Sequence, residues 1–255
     1  TTIFSGFSAP ALRQRLADSG AKMLITSDAA RRRGKKIDLK GQWSKALEDS
    51  RVAKVVSVDG YENNYRDFVS DGGKCETEVM DSEDPLFILY TSGTTGKPKG
   101  TLQVHGGFME VAAQQTAYLI DMKPDDVMFW YADIGWITGQ VWVVYGSPIV
   151  GGTALVYEDA LDYPDTATWS RLVEQHKVSI FGAAPTAIRI FMKAGVPENT
   201  DLSSLRMLAC TGEPINSEAW NWFYDRVGGR KCPVINLSGG TEIGGAILSA
   251  HGLVR

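Results

Sequence analysis

Short apolar segments alternate with helical segments along most of this chain, and that alternation restricts the folds open to it. KMLIT, DPLFILY and SIFGAAP predict strands, whereas ALRQRLADSG and the amphipathic TWSRLVEQHKV predict helices. Strands separated by helices favour an α/β fold with a mainly parallel sheet and flanking helices. In such sheets ligands bind beyond the carboxyl ends of the strands, which is where the loop motifs of this chain fall.

Other segments carry more local predictions. DPLFILY is expected to be a buried strand, and GGTALVY predicts a further strand. A helix is expected from about residue 107 to residue 120, and EAWNWFYDRVGG predicts another.

Composition excludes several classes of protein. The 255 residues contain 26 Lys and Arg against 30 Asp and Glu, a net charge of −4, and 44% of them are hydrophobic. These values are typical of a globular protein and exclude a disordered chain. An acidic balance disfavours binding to nucleic acid or to an anionic membrane. A bound anion must therefore be held by local groups.

Cysteine, histidine and apolar content argue against a disulfide framework, a metal cluster and a membrane span. Cys75, Cys210 and Cys232 are scattered, and the three histidines lack metal-ligand spacing. No apolar stretch reaches the roughly 20 residues that cross a bilayer, and no signal sequence opens the chain. We therefore expect a cytoplasmic protein with reduced thiols and no nucleic-acid or membrane partner.

The segment YTSGTTGKPKG, residues 90–100, directly follows the predicted strand DPLFILY. Glycines allow backbone N–H groups to approach a phosphate, hydroxyls donate hydrogen bonds and lysines neutralise charge. Pro98 replaces the Ser or Thr of a Walker A loop. The segment predicts a phosphate site, with a merely solvated polar loop as the alternative. Its candidate residues are Thr91, Ser92, Gly93, Thr94, Thr95, Gly96, Lys97 and Lys99.

Three further motifs follow in order: ADIGWITG (132–139), TGEPIN (211–216) and NLSGGTE (236–242). Together they resemble the adenylate-forming family of acyl- and aryl-CoA ligases, luciferases and peptide-synthetase adenylation domains. The resemblance is strongest to the branch of short-chain acyl-CoA synthetases that includes the acetate enzymes. It extends from SGFS at residues 5–8 to GGTEIGG at residues 239–245.

The resemblance implies a site for ATP and Mg²⁺. The loop 91–99 would wrap the β- and γ-phosphates, and residues 236–242 would complete the nucleotide site. Thr241 would face the α-phosphate and Glu242 the Mg²⁺ ion, which prefers carboxylate and phosphate oxygens. Lys97, Lys99, Thr241 and Glu242 are the candidate catalytic residues. The backbone of Gly212, Glu213 and Pro214 would embrace the adenine ring, and Asn236 would face the adenine amine. Leu237, Ser238, Gly239 and Gly240 would complete the nucleotide site.

The same resemblance implies sites for the acyl group and for coenzyme A. Ile137 would contact the acyl group, Thr138 would lie beside the CoA arm, and Thr211 and Gly239 would join the substrate residues. In RRRGKK (31–36), Arg32 and Lys35 match the basic pair that holds the phosphate end of CoA, with a solvated loop as the alternative. For Trp130, Tyr131 and Trp142, core packing is the preferred interpretation.

Gly239 departs from the acetate enzymes, which typically carry Trp at this position. Removal of an indole would leave room for several methylenes, each worth about 0.8 kcal/mol when buried. This substitution predicts an acyl group longer or bulkier than acetate, unless a shifted Trp or Ile137 refills the space. Ser238 likewise stands where relatives often place an aromatic ring against adenine.

By resemblance, the parent protein is an AMP-forming acyl-CoA synthetase for short- to medium-chain carboxylates. The carboxylate would attack the α-phosphorus of ATP, and the CoA thiol would then attack the acyl carbon. Residues 1–255 resemble a partial AMP-binding domain that lacks the family's N-terminal portion and its mobile C-terminal domain with a catalytic Lys. Adenylation by this chain alone is expected to be weak or absent. Two alternatives stay open: a catalytically silent nucleotide-binding fragment, and an adenylating enzyme that loads a carrier protein.

Overall fold

The computed structural model describes residues 1–48, 50–58, 65–70, 72–91 and 98–250. The chain forms two compact units, Thr1–His105 and Gly106–Arg255. The predicted α/β class is confirmed, because the second unit contains a six-stranded and mostly parallel sheet with flanking helices. None of the helices in the described part of the chain is long and apolar enough to cross a membrane.

The first unit contains short strands that pair in twos. Strands β1 and β4 are parallel, whereas β2 with β3 and β5 with β6 are antiparallel. Its elements are α1 (Ala9–Asp18), β1 (Met23–Thr26), β2 (Ala29–Arg32), β3 (Lys35–Asp38), α2 (Lys40–Leu47), β4 (Lys54–Ser57), α3 (Tyr65–Ser70), β5 (Pro85–Thr91) and β6 (Lys99–Val104).

The basic segment RRRGKK forms a hairpin rather than an irregular loop. Arg33 and Gly34 connect β2 to β3 with φ values of 51° and 72°. Two central residues with positive φ are typical of the tight turn whose twist matches that of the flanking strands. The backbone is therefore a hairpin, and residues 31–36 are all exposed, as the solvated alternative also expects.

Strand β5 differs from its prediction in two ways. It is the partner of an antiparallel strand, so the loop that follows it connects two strands of a hairpin. Only Leu89 and Tyr90 within it are fully buried. The Tyr90 hydroxyl donates a 2.7 Å hydrogen bond to Oδ2 of Asp18 in α1. Burial, reinforced by this bond to a carboxylate, raises the pKa of Tyr90 to about 12.

The second unit contains the main sheet, in the order β12-β11-β10-β9-β7-β8. All of its neighbours are parallel except β12, which pairs antiparallel with β11. Its elements are α4 (His105–Gln114), β7 (Val127–Trp130), α5 (Ser147–Ile149), β8 (Thr153–Ala154), α6 (Thr168–Gln175), β9 (Ile180–Ala183), α7 (Pro185–Ala194), β10 (Met207–Cys210), α8 (Ser217–Trp222), β11 (Val234–Gly240) and β12 (Gly245–Ser249).

Several helices of this unit are continued by π-helical turns, in which the hydrogen bonds span five residues rather than four. These turns are Gln115–Leu119 after α4, Gly139–Gly146 before α5, and Phe223–Val227 after α8. The helices expected at 107–120 and in EAWNWFYDRVGG are therefore present but change their winding. The predicted strand GGTALVY is reduced to Thr153–Ala154.

Aromatic rings fill the core between the sheet and helices α6 and α7. Trp169 stacks on Phe181 with ring centroids 5.5 Å apart and on Phe191 at 5.1 Å. All three side chains are almost completely buried. Burial of each such ring contributes about 1.5–3 kcal/mol, so this cluster is a main source of the rigidity of strand β9 and its neighbours.

A buried carboxylate joins the amino-terminal ends of two strands, away from the loop motifs. Asp126, which precedes β7, accepts hydrogen bonds from the guanidinium of Arg206, which precedes β10; the Nε–Oδ1 distance is 2.8 Å. Burial alone would raise the pKa of Asp126. Hydrogen bonds from Arg206, from Ser179 and from the Lys123 amide outweigh burial and lower it.

Candidate active site

A cavity of about 350 Å³ lies at the carboxyl ends of strands in the second unit. Every residue that the motifs predicted at 137–138, 211–214 and 236–240 lines it, whereas Val141, Trp142, Gly245 and Ala246 were not predicted. The lining residues are Ile137, Thr138, Val141, Trp142, Thr211, Gly212, Glu213, Pro214, Asn236, Leu237, Ser238, Gly239, Gly240, Gly245 and Ala246. The loops after β7 and β10 and the carboxyl end of β11 therefore meet in one place, as a mainly parallel sheet requires.

The loop 211–214 is fixed at both ends. Gly212 has a φ of 95°, a conformation that favours glycine. The Thr211 hydroxyl donates a 2.8 Å hydrogen bond to the carbonyl of Leu237 in β11. Oε2 of Glu213 accepts hydrogen bonds from the Thr186 hydroxyl at 2.7 Å and from Nη2 of Arg189 at 3.0 Å. Since this oxygen is engaged by α7, the groups that the loop offers to a ligand are mainly those of its backbone.

Asn236 is oriented by a neighbouring thiol. The Cys210 thiol donates to Oδ1 of Asn236 across 3.5 Å. Burial raises the pKa of Cys210 to about 12, so this thiol stays protonated and keeps its hydrogen for the amide. Asn236 itself remains exposed in the cavity, where its amide can meet a ring with donor and acceptor groups.

Gly239 does not offer the space that its sequence suggested. A Cβ at this position would lie 2.0 Å from the carbonyl oxygen of Gly245 and 2.7 Å from Cα of Ala246. Gly239 pairs with Ala246, next to an irregularity between Ser238 and Gly239. No side chain fits here while β12 keeps its position. The open space predicted at position 239 is therefore absent, because the backbone of β12 occupies the position that a Cβ would take.

The tryptophans of the central segment divide between core and cavity. Trp130 is 3% exposed and lies against Gly182, where a Cβ would come within 2.4 Å of its ring. This confirms core packing for Trp130, and Tyr131 also packs against the core. Trp142 lies 5.4 Å from Trp130 between ring centroids, yet it also lines the cavity. Core packing therefore describes only part of the position of Trp142.

Thr241 and Glu242 begin a short 3₁₀ turn, Thr241–Ile243, immediately after the lining residue Gly240. They adjoin the cavity without lining it, and Glu242 is exposed. No group of three or more His, Cys, Asp or Glu residues that could hold a metal ion occurs in the described part of the chain. A lone carboxylate fits Mg²⁺ only where substrate phosphates and water complete its shell, which is the usual arrangement for this ion.

The predicted phosphate loop belongs to the first unit. Thr91 ends β5 and Lys99 begins β6, and the two residues pair across the hairpin. Lys99 is exposed. Ser92, Gly93, Thr94, Thr95, Gly96 and Lys97 lie outside the described residues.

The predicted CoA pair occupies the end of the β2–β3 hairpin. Arg32 is directly opposite Lys35, and Arg31 is directly opposite Lys36. All four side chains are exposed. Like charges opposite one another destabilise a strand pair, so this arrangement favours a bound anion that would relieve the repulsion.

A mainly parallel sheet with a glycine-lined cavity at the carboxyl ends of its strands is typical of nucleotide-binding proteins. A sequence profile of the family described as AMP-binding enzyme matches residues 1–254. The chain belongs to this family.

Similar sequences carry the name acetyl-coenzyme A synthetase. The protein from Methanothrix thermoacetophila is 46% identical over 96% of this chain and 39% of its own length. Those from Laribacter hongkongensis and Rubrobacter xylanophilus are each 43% identical over 98% of this chain, covering 40% and 41% of their own lengths. The chain thus spans about 40% of the length of these relatives.

A solved structure is similar to nearly the whole of this chain. Acetoacetyl-CoA synthetase from Streptomyces lividans superposes with a TM-score of 0.87 at 25% sequence identity. The similarity covers 96% of this chain and 40% of that protein.

Proposed function

We propose that this chain is the nucleotide- and acyl-binding part of an AMP-forming acyl-CoA synthetase. The observation that carries the proposal is the shared cavity, in which Gly212–Pro214, Asn236–Gly240 and Ile137–Thr138 meet. Family membership over residues 1–254 supports the same reading. The activity belongs to a longer protein of which residues 1–255 are a partial AMP-binding domain.

The first half-reaction joins two anions, because a carboxylate attacks the α-phosphorus of ATP and releases pyrophosphate. Its catalysis is therefore mostly positioning and charge neutralisation. The loop 211–214 and Asn236 hold the adenine, and Thr241 donates to the α-phosphate. Mg²⁺, when bound through Glu242 and the phosphates, supplies positive charge. Lys97 and Lys99 add to it from the phosphate loop.

The second half-reaction transfers the acyl group to the thiol of coenzyme A. The five exposed cations of the β2–β3 hairpin support Arg32 and Lys35 as the anchor for CoA phosphates. Thr138 lines the cavity and is assigned to the CoA arm. This basic hairpin and the segment ADIGWITG favour CoA over a carrier protein as the acceptor.

The acyl group is proposed to be a short- to medium-chain carboxylate. Ile137, Val141 and Trp142 give that part of the cavity an apolar lining. Relatives named for acetyl and for acetoacetyl groups indicate that the family accommodates more than one acyl length. The acidic charge balance and the scattered cysteines support a cytoplasmic enzyme that acts on small molecules.

Titration of the 255-residue chain with AMP tests the nucleotide site. Saturable binding is expected, and Asn236→Ala is expected to weaken it about tenfold, a typical cost for a lost hydrogen bond in a binding site. Asn199→Ala is the matched control, because Asn199 is exposed and does not line the cavity. A folded chain that fails to bind AMP would contradict the proposal.

Carboxylate-dependent exchange between ATP and pyrophosphate, measured from acetate to hexanoate, tests the chemistry. AMP binding without exchange would favour the silent nucleotide-binding fragment. With exchange present, transfer to CoA but not to a carrier protein supports the synthetase. Arg32→Ala with Lys35→Ala should then weaken CoA binding while leaving exchange unchanged.

A further inference from the structure

One side chain from the π-helical turn after α4 takes the place of a neighbouring strand at the edge of the main sheet. Nε2 of Gln115 donates to the carbonyl oxygen of Ala246 at 3.0 Å, and the Ala246 N–H donates to Oε1 of Gln115 at 2.9 Å. Strand β12, which contains Ala246, is the last strand of the sheet. A single amide thus satisfies both main-chain groups of one edge residue, in the way that a paired strand would.

The side chain of Gln115 is buried and closely packed against β12. The residue is only 8% exposed, although glutamine is usually a surface residue. A Cβ at Gly245 would lie 2.6 Å from Oε1 of Gln115, so the approach of this amide requires glycine at position 245. On the other side of β12, a Cβ at Gly239 would lie 2.0 Å from the Gly245 carbonyl oxygen. Gln115, β12 and Gly239 are therefore packed in series without a gap.

This series ends at the cavity. Gly239, Gly245 and Ala246 line it together with the apolar side chains of Ile137, Val141 and Trp142. Gln115 does not line the cavity, yet it holds the residue of β12 that pairs with Gly239. Gly239 and Gly245 carry no side chains, so the wall of the cavity at this point is backbone. A shift of β12 would therefore move that wall.

We propose that Gln115 is a positioning residue that fixes the β12 wall of the cavity and thereby sets the length of acyl group that the site accepts. The inference rests on the proposed function, since it assigns the acyl end of that site. The chain-length limit is set by hydrogen bonds to backbone, and no bulky side chain at position 239 is involved.

The test compares Gln115→Leu with the unaltered chain. Adenosine sulfamates carrying acetyl, butyryl and hexanoyl groups serve as stable mimics of acyl-adenylates, and calorimetry gives their dissociation constants. Gln114→Leu is the matched control, because Gln114 is the preceding residue, is exposed and does not line the cavity.

The unaltered chain and the control should share one order of preference among the three mimics. In Gln115→Leu the ratio between the best and the worst dissociation constants should fall about tenfold, because two hydrogen bonds are lost. Affinity for AMP should stay within threefold.

A second variant and a direct probe keep the inference testable if Gln115→Leu folds poorly. Gln115→Asn retains an amide but is one methylene shorter, so it should lower the same ratio. Hydrogen exchange at the Ala246 amide should become about tenfold faster in each folded Gln115 variant.

The possible outcomes separate the inference from the proposed function. An unchanged ratio in folded Gln115 variants, with AMP binding intact, would overturn the positioning role alone. Failure of the folded, unaltered chain to bind AMP or any mimic would overturn the proposed function and the inference with it.

Discussion

Nη2 of Arg189 lies 3.0 Å from Oε2 of Glu213, and this contact attaches the loop 211–214 to helix α7. The same oxygen accepts a hydrogen bond from the hydroxyl of Thr186. This helix was not predicted from the sequence, yet it fixes a loop that lines the cavity. The proposed recognition of a nucleotide would therefore depend on residues outside the motifs that suggested it.

Replacement of Arg189 by Ala should loosen the loop and weaken AMP binding. The side chains of Arg189 and Glu213 are 37% and 38% exposed, so solvent screens their attraction. We expect a loss of affinity of about threefold to tenfold, corresponding to about 1 kcal/mol. Arg171→Ala is the control, because Arg171 on helix α6 forms a comparable exposed ion pair with Asp165, which precedes that helix. Equal effects of the two substitutions on AMP affinity would contradict the role given to Arg189.

Replacement of Gly239 by Ala should destabilise the second unit rather than merely narrow the cavity. The new Cβ would collide with the Gly245 carbonyl oxygen, and such overpacking typically costs about 1–3 kcal/mol. Urea denaturation measures this cost. Gly73→Ala is the control, since nothing lies within 4 Å of a Cβ at Gly73. A Gly239 variant as stable as the unaltered chain would show that β12 can move away.

The three cysteines should differ in reactivity towards a thiol reagent. Cys75 is exposed, whereas burial raises the pKa of Cys210 to about 12 and also raises the pKa of Cys232. The Cys210 thiol therefore stays protonated at about pH 8, whereas the thiolate is the reactive form. We expect one thiol to react rapidly in the folded chain and all three in denaturant. Cys75→Ser should abolish the rapid phase; its persistence would mean that a buried thiol is accessible.

Asp126→Asn should destabilise the chain in a manner that depends on pH. Because the pKa of Asp126 is lower in the folded state, its contribution is present above the unfolded value of about 3.9 and is lost as pH falls through the folded value. At about pH 7 the substitution should cost about 1–3 kcal/mol, since Arg206 loses a charged partner. Urea denaturation at successively lower pH should show the difference between Asn and Asp shrinking. A difference that stays constant down to about pH 3 would contradict this assignment.

The sequence predicted the parts of the site that depend on local backbone chemistry. Gly212 follows strand β10, and residues 236–240 form the carboxyl end of β11. The parallel pairing of these two strands brings them together. The motifs could not reveal residues that act across long sequence separations. Gln115 meets Ala246 only because a π-helical turn places it at the sheet edge, and nothing in QQTAYL indicates that turn.

Gly239 illustrates the opposite error. Glycine at a position where the acetate enzymes carry Trp suggested an empty space, because glycine has no side chain. The structure fills that place with the backbone of β12, since an antiparallel strand packs closely against a residue without Cβ. The antiparallel pairing of β5 was missed for a related reason: the apolar pattern predicts a strand but does not determine its direction.

The proposed function depends most on the location of the bound adenylate. Amide chemical shifts of the isotopically labelled 255-residue chain, recorded while a butyryl adenosine sulfamate is added, measure that location directly. We predict saturable shifts at Gly212, Glu213 and residues 236–240, with smaller shifts at Ile137 and Thr138. A folded chain that shows no shifts, or shows them only away from these loops, would contradict the assignment of this cavity.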